Sequence, residues 1–244
     1  MGTQGIFGYI IGKKKRLMHV QYDANLLWQI GVREIFILMK HYGNKELLKT
    51  EFEKIKSIKE ENPNKPKDLD IEKCKMFTDL EVSYKNTNDW YCLLRYCQSS
   101  FINILEAGYI LNTKEKNGYS LILDLNKYSV TFSILDYDNT KKILNTATLE
   151  EIMEFDEMPT KSLTEVLLEL KTRNKEWWEK YDLIKEQLEK LFILKQDAKK
   201  QGDDNIEKKI DILIDDLECN LRELNRNRRE FYHRLKAIDL IEEE

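Results

Sequence analysis

Loop-forming residues are scarce in this chain: 9 Gly and 3 Pro in 244 residues. That scarcity disfavours a loop-rich architecture and favours helix. No apolar run approaches the roughly 20 residues needed to span a bilayer. The start, Met1 to Tyr9, lacks a charged region followed by an apolar one, so no signal peptide is expected. Gly2 fits N-myristoylation only in part, because Ile6 stands where that motif takes Ser or Thr. Cys74, Cys92, Cys97 and Cys219 have no metal-ligand spacing, and His19, His41 and His233 lie far apart. Free thiols, no metal and no cofactor are therefore expected. The net charge of −4 gives no general drive towards nucleic acid or anionic membrane, so either would require a local patch. These absences together predict an intracellular, cytoplasmic protein that does not use a membrane.

Charged residues make up 34% and hydrophobic residues 41% of the chain, enough to bury a core in one large domain or two modest ones. Thr3 to Ile11 reads as a strand, interrupted by Gly12 and three lysines. Arg16 to Tyr22 resumes the pattern as the second half of a hairpin. Asp23 is placed to cap a buried helix from Ala24 to Tyr42, closed by Gly43. An amphipathic helix from Lys45 to Glu60 follows, then the loop Asn62-Pro-Asn-Lys-Pro-Lys67. Further helices are predicted near Asp70 to Phe77 and Asp89 to Glu106. Strands are predicted at Tyr109 to Thr113, Tyr119 to Leu125 and Tyr128 to Leu135, with Asn126-Lys127 turning between the last two. This order predicts an α+β domain over residues 1–150, with helices on an antiparallel or mixed sheet.

Pro159 marks a boundary. Beyond it, Ser162-Leu-Thr-Glu165 forms a capping box. Leu163, Leu167, Leu170, Asn174, Trp177, Tyr181, Ile184, Leu188, Leu191, Lys195 and Ala198 then alternate in steps of four and three, a heptad seam. Gly202 breaks the pattern, and Asp204-Asn-Ile-Glu207 offers a second box. A second seam follows through Ile210, Leu213, Leu217, Leu221, Leu224, Phe231, Leu235 and Ile238, with a stutter at Leu213 to Leu221. Residues 160–241 are thus read as a long antiparallel helical hairpin, a coiled coil. Leu168, Trp178, Phe192, Ile193, Ile212 and Ile214 lie beside these seams, more apolar surface than two helices cover in each other.

Two resemblances attach to the first 150 residues. Gln4-Gly-Ile-Phe-Gly-Tyr-Ile10 is similar to the start of class II glutamine amidotransferases, which belong to the N-terminal-nucleophile hydrolases. The resemblance implies a nucleophile at position four, where this chain has Gln4, and an amide is no nucleophile. Using Thr3 instead would require removal of Met1 and Gly2. Read without the resemblance, the two glycines mark an edge strand packed close to its neighbour. Met1-Gly-Thr-Gln-Gly5 also resembles a family of uncharacterised proteins that open Met-Gly-Thr-Arg-Gly, in fungi, bacteria and large DNA viruses. Tyr22-Asp23, Trp90, Gln98, Tyr119 to Leu125 and Val130-Thr-Phe132 carry the rest of that likeness. Gln4 replaces that family's arginine, and its Ser-Tyr-Pro stretch is missing. Lysine outnumbers arginine roughly three to one, the balance of an AT-rich genome, so the resemblance implies a giant-virus-like member in host cytoplasm or virion.

Asn174 within a seam weakens a coiled coil but penalises wrong registers, because its amide needs a partner across the interface. Asn220 and Asn227 are the expected partners. Trp177 and Trp178 are expected to pack rather than to bind ligand. Five of nine arginines lie between Arg222 and Arg234, and Arg222, Arg226 and Arg229 share one helical face. Such a stripe can grip phosphate, yet Glu218, Glu223 and Glu230 intersperse it. The favoured reading is a non-enzymatic interaction or structural protein. It would contact a protein partner or a second copy through Asn174, Trp177, Trp178, Phe192 and Ile193. A degenerate amidohydrolase and an RNA- or DNA-associated factor using Arg222, Arg226 and Arg229 are the alternatives.

Overall fold

The computed structural model describes residues 3–61, 63–79, 89–114, 117–135, 140–155 and 158–237, with side chains to Tyr232. The described residues carry β1 (Gly5–Ile11), β2 (Lys14–Val20), α1 (Leu27–Tyr42), α2 (Lys45–Glu53), β3 (Lys56–Lys59), α3 (Asp68–Cys74), α4 (Trp90–Leu93), α5 (Phe101–Ala107), β4 (Tyr109–Asn112), β5 (Gly118–Asp124), β6 (Ser129–Leu135), β7 (Lys141–Thr148) and α6 (Leu149–Met153). Single 3-10 turns lie at Ala24–Leu26, Lys75–Phe77 and Arg95–Cys97. Two long helices follow, α7 (Leu163–Gln201) and α8 (Asp204–Ala237), packed together as a hairpin. Compact packing divides the chain into one unit that runs to Val166 and another comprising Leu167–His233. An α+β region followed by a helical hairpin is the expected fold class.

The main sheet has the order β2-β1-β5-β6-β7 and is mixed: β1 and β5 run parallel, the other pairs antiparallel. The aromatic and β-branched run of β1 is buried on both faces, which is why it lacks polar alternation. On one face Phe7 packs on Phe101 at 4.1 Å between ring centres, Tyr9 on Phe52 at 4.8 Å, and Phe52 on Phe101 at 5.8 Å. On the other, Ile6, Leu17 and Ile122 form a second cluster with Ile10 against it. Burial pushes the Tyr9 hydroxyl up to about 12, although Arg16 beside it pulls the other way.

Gly5 and Gly8 are held by close backbone approach. A Cβ at Gly8 would lie 2.1 Å from the Arg16 carbonyl oxygen, and one at Gly5 would lie 2.4 Å from that of Tyr119. The glycine reading was therefore right about close packing and wrong about place: β1 is flanked by β2 and β5, so it is not an edge strand.

Several expected elements are shorter or broken. The first hairpin turns in two residues, and Lys14 and Lys15 belong to β2 rather than interrupting it. Asp23 does not cap α1: it takes a left-handed φ of 57° without a side-chain cap, and a 3-10 turn precedes the helix. Gly43 does close α1, its N–H donating to the Met39 carbonyl at 2.9 Å. The helix expected to reach Glu60 stops at Glu53, and Lys56–Lys59 pairs in parallel with β4 in a separate two-stranded sheet. The helix expected from Asp89 to Glu106 is split at Ser99, whose φ of 69° a helix cannot accommodate. Ser100 restarts it as the N-cap of α5, its hydroxyl accepting from Asn103 N–H at 3.1 Å. The buried Glu34 carboxylate accepts from Ser100 Oγ at 2.6 Å and from Phe101 N–H at 2.5 Å, satisfying the same helix end. Strand β7 was missed because its residues are exposed almost throughout and carry no clean alternation. Of the loop expected at Asn62 to Lys67, Asn62 lies outside the described residues.

Candidate functional site: the polar layer and apolar band of the hairpin

The hairpin is built as its sequence spacing demands. Ser162 and Glu165 form the expected box: Ser162 N–H donates to Glu165 at 2.7 Å and Glu165 N–H to Ser162 Oγ at 3.3 Å. The turn at Gly202 has φ 71°. Asp203, not Asp204, caps α8, its carboxylate accepting from Ile206 N–H at 3.0 Å. Towards the turn Leu188, Ala198, Ile210 and Ile214 form an apolar core, flanked by Ile184, Leu191, Leu217 and Leu221. Lys195, a cation on the seam, reaches Asp211 on the facing helix at 2.5 Å, a partly exposed cross-helix ion pair.

The second seam was displaced by one residue at its start. Ile214 is buried while Leu213 is 51% exposed, so the stripe runs Ile210, Ile214, Leu217, Leu221. The extra four-step falls later, where Leu221, Asn225, Arg228 and Tyr232 line the interface over eleven residues. On α7 the buried positions Val166, Leu170, Asn174 and Trp177 also span eleven, with Leu167 only half-buried. An eleven-residue step locally relaxes the left-handed supercoil, and in both helices it contains the buried polar residues.

Asn174 lies in that segment, 4% exposed. Its side-chain NH2 donates to the Leu170 carbonyl at 2.8 Å and to the Tyr232 hydroxyl at 2.7 Å. Its oxygen accepts from Arg228 Nη2 at 2.9 Å. The cross-helix partners are therefore Arg228 and Tyr232, not Asn220 or Asn227, which are exposed. The Arg228 guanidinium lies 3.9 Å from the ring centre of Trp177, a cation–π contact. Trp177 Nε1 donates to the Leu224 carbonyl at 3.2 Å, and its ring stacks on Tyr181 at 4.9 Å. Trp178 packs edge-on against Trp177 at 4.7 Å and is half-buried. Burial, with Asp182 adding to it, raises the Tyr181 hydroxyl above its ordinary value.

Sequence reasoning found Asn174 and Trp177 but passed over Arg228 and Tyr232. The signal was present: both continue the stripe from Leu221 in steps of three and four. Beside this layer is a pocket of about 170 Å³, with Arg173, Asn174, Trp177, Lys180, Arg228 and Phe231 among its lining residues. Arg173 also lies 5.2 Å from the centre of the Phe231 ring. Glu176 lines the pocket too, so cationic groups, aromatic faces and a carboxylate meet there.

The arginine stripe is only partly a free surface. Arg226 meets Glu223 at 3.6 Å and Glu230 at 4.0 Å. Arg229 is half-buried and Arg222 exposed, while the Arg234 side chain lies outside the described residues. Phe192 and Ile193 are not brought to the polar layer. They lie level with the Lys195–Asp211 bridge, where Phe192 (46% exposed), Ile193 (61%), Leu194 (55%), Ile212 (62%) and Leu213 (51%) make an apolar band around the hairpin.

At the N-terminus Thr3 Oγ1 donates to Asn25 Oδ1 at 2.5 Å, and the Gln4 carbonyl accepts from Tyr119 N–H at 3.3 Å. Comparison with protein-family models, curated proteins and solved structures finds no match. Among the described residues no helix is long and apolar enough to cross a membrane, and no cluster of three or more His, Cys, Asp or Glu side chains is placed to hold a metal ion.

Proposed function

We propose that this is a non-enzymatic association protein whose helical hairpin binds a second copy of the chain. The band at Phe192, Ile193, Leu194, Ile212 and Leu213 carries this reading. Two antiparallel helices cover only their seams, and an exposed apolar patch at one level of a coiled coil is the usual mark of a contact surface. Leu194, Ile206 and Leu213 each precede a seam residue, which places them on one side of an antiparallel pair. Lys190, Lys209, Asp197 and Asp216 flank them on that side. A two-fold copy would set lysines against aspartates around an apolar centre, the self-complementarity that an isologous interface requires. The resemblances at the N-terminus are compatible with this reading and add no reaction to it.

Sedimentation of the full chain over a range of concentrations is the test. A dimer that becomes a monomer in the Leu194→Glu, Leu213→Glu double variant, with helix content kept, is the expected result. A wild-type chain that stays monomeric up to high concentration would overturn self-association. Retention of RNA that falls with salt and with loss of Arg222 and Arg226 would instead favour the nucleic-acid reading.

A further inference from the structure

A different charge, in the α+β unit, has no carboxylate partner among the described residues. Arg95 is 8% exposed, in the 3-10 turn between α4 and α5. Its Nη1 donates to Gln98 Oε1 at 2.5 Å and to the Tyr91 hydroxyl at 3.2 Å. Tyr91 in turn donates to Gln21 Oε1 at 3.0 Å. The guanidinium carbon lies 5.6 Å from the centre of the Tyr91 ring and 5.7 Å from that of Tyr22. These partners are all neutral. Among the described residues no carboxylate lies within ion-pair distance of Arg95 and none accepts from its Nε or Nη2. Glu34 and Asp79 are the buried carboxylates of this unit among the described residues, and Glu34 accepts from Ser100 and the first N–H of α5.

Burying a guanidinium without an anion is costly, and proteins that do so generally supply one. Two aromatic rings and a glutamine fix this one in place while one edge keeps its donors. That is the geometry in which Arg grips a carboxylate or phosphoryl group with two parallel hydrogen bonds. The backbone adds a second, independent sign. Of the three described non-glycine residues with positive φ, Asp23 at 57° directly follows Tyr22 and Ser99 at 69° directly follows Gln98. Such conformations cost on the order of 1–3 kcal/mol each and persist where the surroundings enforce them, often at ligand sites. Here each directly follows a residue whose side chain frames the guanidinium. Tyr22 is 51% exposed, so one ring of the frame lies at the surface and gives a small molecule a way in.

We infer that Arg95, framed by Tyr22, Tyr91 and Gln98, is a binding site for a small oxyanion, the carboxylate or phosphoryl group of a ligand. The site is independent of the hairpin and of the association proposed for it.

Thermal unfolding of the full chain, at matched ionic strength, in chloride, acetate, phosphate and sulfate tests this. The midpoint should rise saturably with acetate or with phosphate and sulfate, relative to chloride, because a ligand of the native state stabilises it by mass action. A response to acetate alone assigns a carboxylate, and a response to the tetrahedral anions alone assigns a phosphoryl group. Arg95→Met, which replaces the charge by an apolar side chain of similar length, should abolish the response while circular dichroism shows the fold kept. If that variant fails to fold, Tyr22→Ala at the exposed edge serves instead, with the apparent dissociation constant weakened severalfold. A wild-type midpoint that no oxyanion raises above chloride overturns the inference. So does an anion response that is unchanged in a folded Arg95→Met chain or, where that chain does not fold, in Tyr22→Ala.

Discussion

The α+β unit and the hairpin use apolar residues in opposite ways. In the first, Phe7, Phe52 and Phe101 are fully enclosed and touch across long stretches of sequence. In the second, Leu188, Ile210 and Ile214 are buried along a single stripe while Phe192, Ile193 and Ile212 face outward. The cysteines divide similarly: Cys74, Cys92 and Cys97 are buried, and Cys219 on α8 is exposed. The sheet unit is stabilised by three-dimensional packing that few substitutions will leave intact. The hairpin is specified by periodicity, and its outward positions are free to serve contact rather than folding.

The largest break in this contrast should come from the aromatic cluster. Phe101→Ala removes a ring that packs on both Phe7 and Phe52 and should destabilise the α+β unit by about 3–5 kcal/mol. Urea unfolding followed by tyrosine and tryptophan fluorescence would measure it. A loss under 1 kcal/mol would mean that this cluster is not the centre of the fold.

Alkali should separate the two regions next. Burial pushes Cys74 and Tyr9 each up to about 12. In the unfolded chain these groups give up their protons near 9 and 10. Stability is therefore fully present below those values and falls as pH rises through that range towards 12, by about 1.4 kcal/mol for each unit of difference. The near-ultraviolet signal of the sheet unit should fall across this window while helix content falls less.

How much of this was legible in the sequence follows the same division. The hairpin could be read almost residue by residue, because heptad spacing is a local signal and two helices have one way to satisfy it. Even there, a seam shifted by one residue at Ile214 misplaced the stutter, and Arg228 was overlooked because a cation on a seam looks like a surface residue. In the α+β unit most strands were visible, but their order was not, since the parallel pairing of β1 with β5 joins Gly5 to Tyr119. The break at Ser99 was invisible for the same reason: Glu34, which rewards it, is 66 residues away from Ser100. Arg95 reads from sequence as one more helical arginine, and only tertiary packing shows what surrounds it.

Within the hairpin, the polar layer and the apolar core can be weighed against each other. Asn174→Leu removes the acceptor for Arg228 Nη2 and the donor to Tyr232. Leaving such buried groups short of a hydrogen bond costs about 1–3 kcal/mol, so the variant should be less stable although leucine suits a seam. Arg228→Met on that background should recover part of the loss, because the apolar pair no longer carries a buried charge. Double-mutant analysis by thermal unfolding measures this. Additive effects would show that Asn174 and Arg228 do not act as a unit.

The smallest effect on stability should come from the band that the proposed function uses most. Leu194 and Leu213 lie on the proposed contact side of their helices, 55% and 51% exposed. Exchanging an exposed apolar side chain for a polar one leaves folding within about 0.5 kcal/mol of wild type where no buried contact is lost. Leu194→Gln with Leu213→Gln should thus keep the unfolding midpoint of the isolated chain measured at high dilution. At concentrations where wild type associates, the same substitutions should lower the apparent midpoint relative to it, because a partner that binds only the folded state adds stability by mass action. A dilution series of the two proteins distinguishes these terms. If the double variant unfolds earlier by the same margin at every concentration, these residues belong to the fold and the contrast between the two regions is weaker than drawn. If the margin opens only as concentration rises, the outward residues contribute to contact and not to folding.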